Sequence, residues 1–105
     1  MTIRALSDQD FSTALPADGL ALVDFTAAWC PPCKVLLPQL EELQQELEGH
    51  VTMYKVDVDQ AQETAAAFGV MSMPTVLVFR DGVPVDKLVG LRPKAAYRAV
   101  LARYM

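Results

Sequence analysis

Trp29-Cys30-Pro31-Pro32-Cys33-Lys34 sets two consecutive prolines between the only two cysteines of the chain. Three readings of this stretch compete. A closed structural zinc site takes four ligands, and Cys30, Cys33 and His50 are the only cysteines and histidine present, so such a site would have to recruit a carboxylate. A structural staple across so short a loop would contribute only roughly 2 kcal/mol. A dithiol that cycles with a disulfide is favoured when C-x-x-C lies within an alternating strand and helix pattern. The flanking sequence therefore decides the fold and the chemistry together.

Immediately before the motif, Leu20 to Phe25 (LALVDF) forms an apolar run of strand length broken only by Asp24, as expected of a central strand covered on both faces. After it, Leu36, Leu40, Leu43 and Leu47 recur at helical spacing with glutamates on the other side, predicting a long amphipathic helix that ends near Gly49. Pro38 falls inside this helix, where a bend is expected. Upstream, residues 2–6 (TIRAL) read as a weak first strand. Ser7 with Asp10 three residues on signals the start of a short helix carrying Phe11, Ala14 and Leu15.

Downstream, residues 51–58 (VTMYKVDV) alternate as a strand, residues 60–68 form a short helix before Gly69, and residues 75–79 (TVLVF) read as a buried strand behind Met73-Pro74. Asp81-Gly82 marks a tight turn into residues 83–89 (VPVDKLV), where Pro84 suits an edge strand, so the last two strands are expected as a hairpin. Pro93 opens a closing helix in which Tyr97, Val100, Leu101 and Tyr104 share one face. The fold class is α/β, as one domain over residues 1–105.

Composition narrows the function. A chain of 105 residues can bury a core without metal, and 52% hydrophobic with 21% charged residues is globular rather than disordered. The formal charge of −4 argues against nucleic acid, whose binding draws on clustered Lys and Arg. Residues 1–10 (MTIRALSDQD) hold no apolar signal-peptide core, and no run approaches the roughly 18 apolar residues of a membrane span, so the expected compartment is the reducing cytoplasm.

The chemistry turns on acidity. An ordinary cysteine of pKa about 8.5 is only about 3% thiolate at neutral pH, whereas attack on a disulfide needs the thiolate. Cys30 precedes a helix, whose dipole and unpaired N–H groups stabilise an anion. With Pro32 as the first helical residue, the N–H groups of Cys33 and Lys34 are expected to stay free for the Cys30 sulfur. Pro31, preceding another proline, is expected outside the helix. Cys33, one turn in, is then the less exposed resolving thiol. Asp24, a carboxylate in an apolar strand, is the candidate base for it, with a pKa raised by desolvation. Lys55 by itself reads as a solvated strand residue, and the Met73-Pro74 bond by itself as trans.

Together, residues 23–34 (VDFTAAWCPPCK), Met73-Pro74-Thr75, Asp81-Gly82 and Val89-Gly90 give a chain that resembles the thioredoxin family nearly end to end. The resemblance implies a central five-stranded mixed sheet in the order 1-3-2-4-5 flanked by four helices. It implies that Asp24 is a buried base with Lys55 as its charged partner, and that Pro74 is cis with Met73 pairing to the substrate backbone. Trp29, Pro31, Pro32, Met73, Pro74, Val89, Gly90 and Leu91 would then border a shallow groove for an extended peptide, although Val89 alone reads equally well as core.

The implied activity is protein disulfide reduction by a monomer, with disulfide-containing proteins as substrates. A thioredoxin reductase would be the electron donor, and no cofactor, metal or membrane would be involved. Departures bear on partner choice: Pro31 replaces the usual Gly, Thr26 stands where the family has an aromatic residue, Ala28 where a charge is common, and Leu91 where a small residue is frequent. Pro31 removes one N–H near the sulfur and also stiffens the ring. The rivals are a thiol oxidase or isomerase and a non-catalytic peptide-binding module.

Overall fold

A computed structural model describes residues 3–105, so Thr2 of the expected first strand lies outside the described residues. The elements run β1 (Arg4–Ala5), α1 (Phe11–Ala14), β2 (Leu20–Thr26), α2 (Pro31–Glu46), β3 (Val51–Asp57), α3 (Gln62–Ala67), β4 (Thr75–Arg80), β5 (Val83–Val89) and α4 (Lys94–Ala102). The sheet order is β1-β3-β2-β4-β5. β3 pairs parallel with both β1 and β2, and β4 pairs antiparallel with both β2 and β5. This is the mixed sheet that the resemblance implied.

Strand alternation sorts the core into two layers. Leu20 and Leu22 of β2 point to one face, with Met53 of β3 and Val76 and Val78 of β4, and pack beneath Leu36, Leu40 and Leu43 of α2 and Tyr97, Val100 and Leu101 of α4. Ala21, Val23 and Phe25 point to the other face and meet Phe11, Ala65, Leu77 and Phe79. Phe68 closes that second layer, its ring edge-on to Phe79 at 5.5 Å between centroids. Burial on both faces explains why β2 reads as a nearly continuous apolar run. Asp24 shares the parity of Leu20 and Leu22 and so faces the α2 layer.

Turn chemistry matches the sequence where backbone geometry demands it. Asp81 and Gly82 both adopt left-handed φ, 54° and 82°, the hairpin turn that suits twisted strands. Asp81 is also tied to the start of the neighbouring strand β2, its Oδ1 accepting the Gly19 N–H at 2.7 Å. α2 continues unbroken through Pro38.

Two helix starts differ from expectation. The Ser7 hydroxyl accepts the Asp10 N–H at 3.2 Å, as a cap would, but that turn is not helical, and α1 begins only at Phe11. α3 is capped from a distance, since Asp8 Oδ1 accepts both the N–H and the hydroxyl of Thr64, at 2.8 and 2.6 Å. The Thr64 hydroxyl, then its N–H, holds the Asp8 carboxyl below its usual 3.8. A depressed carboxylate stabilises the fold above its unfolded pKa and loses that contribution as pH falls through the folded one. We expect Asp8→Asn to melt below the parent at neutral pH. The gap should close on acidification below pH 3.8, read by thermal scans across pH.

Candidate active site

Cys30 occupies the cap position of α2 in extended geometry (φ −100°, ψ 105°), with Pro31 and Pro32 as the first two helical residues. This corrects the expectation that Pro31 lies outside the helix. The pre-proline restriction is instead met one residue earlier, at extended Cys30. It also corrects the donor count. The Lys34 N–H is taken by the Cys30 carbonyl at 3.3 Å, so of the first four backbone groups of α2 two are prolines, one is engaged, and only the Cys33 N–H remains available to the Cys30 sulfur.

Cys30 and Cys33 are joined in a disulfide, their Cα atoms 5.3 Å apart. Both residues are buried, at 3% and 2% exposure, so the expected difference in accessibility between them is not seen in this oxidised state. They nest against Ala27, with Val58 and Met73 beside them. The Met73 carbonyl oxygen lies 3.7 Å from Cys30 Sγ, close enough to accept from the thiol once the bond is reduced.

The loop opposite the sulfurs is built from two strand ends. Met73-Pro74 is cis, and the Pro74 carbonyl accepts the Gly90 N–H at 2.8 Å, which ties this loop to the end of β5. Pro74 is buried and Met73 half-buried. Around them Trp29, Val89 and Leu91 are exposed apolar side chains, at 63%, 47% and 42%. Val89 is therefore not core. Pro31 is exposed, while Pro32 and Gly90 are half-buried.

Asp24 is fully buried, and among the described residues none hydrogen-bonds to either carboxylate oxygen. Burial raises its pKa to about 7, opposed by the positive charge of Lys55. Lys55 stands directly across from Asp24 in the β2–β3 register and is half-buried rather than solvated, because both residues face α2. Cys33 belongs to the same buried helix face as Leu36 and Leu40, so the resolving position and the carboxylate share one interface.

Three contributors were not visible in the sequence. Asp59 Oδ2 accepts the Trp29 indole N–H at 2.8 Å and holds an exposed ring beside the cysteines. Asp57 Oδ1 in turn accepts the Asp59 N–H at 2.9 Å. Tyr97, legible only as a core residue, places its hydroxyl beneath the groove. There it accepts the Arg92 N–H at 3.1 Å and donates to the Gly90 carbonyl at 3.4 Å. Burial, with a smaller effect from Asp24, raises the Tyr97 pKa, so the hydroxyl keeps its proton and can donate. Tyr97→Phe should loosen the Val89–Leu91 rim, raising KM for a protein disulfide several-fold and costing about 1 kcal/mol of stability. Alkylation of reduced Cys30 by a small reagent should be unchanged, which separates the rim from the chemistry.

The thioredoxin family model matches residues 2–103. This chain belongs to the thioredoxin family. It is 47% identical over 105 residues to thioredoxins of Staphylococcus aureus strains Mu50 and COL, covering 100% of each chain. Family membership and the joined cysteine pair make the protein a thiol–disulfide oxidoreductase of the protein-disulfide reductase type. The reactive group is the cysteine pair itself. Among the described residues no helix is long and apolar enough to cross a membrane.

Proposed function

We propose that this chain reduces disulfides of cytoplasmic proteins, working as a single-domain monomer that receives its electrons from a thioredoxin reductase. Cys30 attacks the substrate disulfide and releases the first substrate thiol. Cys33 then attacks the mixed disulfide, forming the Cys30–Cys33 bond and releasing the second, while Asp24 takes the Cys33 proton and Lys55 moderates the carboxylate. The exposed Trp29, Val89 and Leu91, with Met73, Pro74, Gly90 and the two spacer prolines, receive the substrate chain. The observation that carries this reading is a disulfide at a helix start on the same interface as a buried, unpaired carboxylate.

Insulin reduction by dithiothreitol, followed by turbidity, should be accelerated by the protein, and coupling to a thioredoxin reductase should consume its reductant. No acceleration with both thiols intact overturns the proposal. The two prolines at the helix start remove donors that would stabilise the Cys30 thiolate, which disfavours the reduced form and so favours a reducing poise. Equilibration with glutathione decides: a potential above about −200 mV supports an oxidase or isomerase.

A further inference from the structure

A cavity of about 290 Å³ opens beside Cys33, and none of Trp29, Met73, Pro74 and Val89 lines it. Its walls include Thr26 of β2, Cys33, Lys34 and Leu37 of α2, and Lys55 and Asp57 of β3. Thr26 follows Asp24 by two residues on the same strand, so both face this layer, and its side chain is one wall of the cavity.

Catalysis sets a requirement on that space. When Cys33 attacks the mixed disulfide, the Cys30–Cys33 bond forms, the substrate sulfur leaves as thiolate, and the Cys33 proton passes to the Asp24 carboxylate. Asp24 must then return that proton to water before the next cycle, yet it is fully buried and no group among the described residues hydrogen-bonds to its oxygens. The charged and titratable groups that act on it are Lys55 on β3 and Tyr97 on α4, Cys33 lies on the buried face of α2 packed over the same layer, and its register partner on β4 is the apolar Val76. Among these, Lys55 and Cys33 both border the cavity.

We propose that Thr26 is a positioning residue whose short side chain keeps this cavity open, making it the route by which Cys33 and Asp24 exchange protons with solvent. This rests on the role of Asp24 given above. Asp24 does not itself line the cavity, so filling it acts through Lys55 and Cys33, replacing the polar space beside them with apolar atoms and so favouring the neutral form of the carboxylate.

The test uses the full chain as parent, Thr26→Trp, Thr26→Leu and Thr26→Ser, with Asp24 followed by its carboxyl carbon resonance and turnover measured across pH. In the tryptophan variant, or in the leucine variant should the first not fold, the Asp24 titration should move up by about one unit. The acid limb of the activity profile should move with it, leaving activity at pH 9 and the Cys30 alkylation rate near the parent values. The serine variant should match the parent. A folded filling variant with an unmoved titration and profile overturns the proposal while leaving Asp24 as the base. Loss of activity equal at every pH overturns it as well. If Asp24 of the parent titrates near an ordinary carboxyl value, the reading of Asp24 as base itself fails.

Discussion

Cys33→Ser should leave the protein able to attack a disulfide but unable to let go of it. A serine hydroxyl is too weak an acid to supply the resolving anion, so each molecule stops at the mixed disulfide on Cys30. Multiple-turnover insulin reduction should fall by about a thousandfold or more. A covalent adduct should appear on a non-reducing gel and vanish with dithiothreitol. Cys30→Ser should give equally little turnover and no adduct, because the remaining thiol sits on the buried face of α2. A Cys33→Ser protein that still turned over within a few-fold of the parent would remove the two-cysteine mechanism.

Asp24→Asn should make the protein more stable and slower. Its carboxyl has a pKa raised from 3.8 to about 7 by burial. The folded state therefore holds its proton more tightly than the unfolded chain does. The parent has its full stability below pH 3.8, loses part of it as pH rises toward 7, and carries a constant penalty above that. Taken whole, the shift corresponds to about 4 kcal/mol with the attraction to Lys55 already included, and relaxation around the charge reduces this to about 2–4 kcal/mol. At pH 8 the asparagine variant should then melt roughly 10–20 °C higher than the parent, with the difference shrinking in acid. Its turnover near pH 7 should drop about ten- to a hundredfold, as expected when a general base is lost. Equal melting temperatures at pH 8 would mean that Asp24 is not strained by burial, and an undiminished rate that it is not used as a base.

These two variants also mark how far the sequence could be read. The periodicity of Leu36, Leu40 and Leu43 located α2, and the alternation around Leu20 to Phe25 located β2, because buried faces leave a repeat of fixed period in the chain. The hairpin was equally plain, since Asp81-Gly82 is one of few pairs that tolerate left-handed φ at both positions. Where α2 begins was misjudged by one residue. Local rules place a proline pair at a boundary, whereas the hydrogen bond from Lys34 N–H to the Cys30 carbonyl draws Pro31 into the first turn. That single bond changes the number of donors left for the reactive sulfur.

The groove and its supports were legible in part. Trp29 and Met73 could be named from motif position, but Asp59, which orients the indole, and Tyr97, which holds Gly90 and Arg92, could not. Their partners lie elsewhere in the fold, and a side chain that hydrogen-bonds across elements leaves no periodic trace. Val89 shows the same limit: a valine in a strand reads as core, and only its place at the end of edge strand β5 exposes it.

The sequence by itself determined the order of elements, the pairing of reactive sulfurs with a helix start, and the presence of one carboxylate in an apolar strand, because each is a matter of residue type and short-range spacing. Only the tertiary structure decided that Asp24 is wholly shut away from protein donors, that Lys55 faces it across β2 and β3, and that a cavity beside Thr26 reaches Cys33. Desolvation, register and empty volume are properties of surfaces brought together from distant parts of the chain, and no local pattern encodes them.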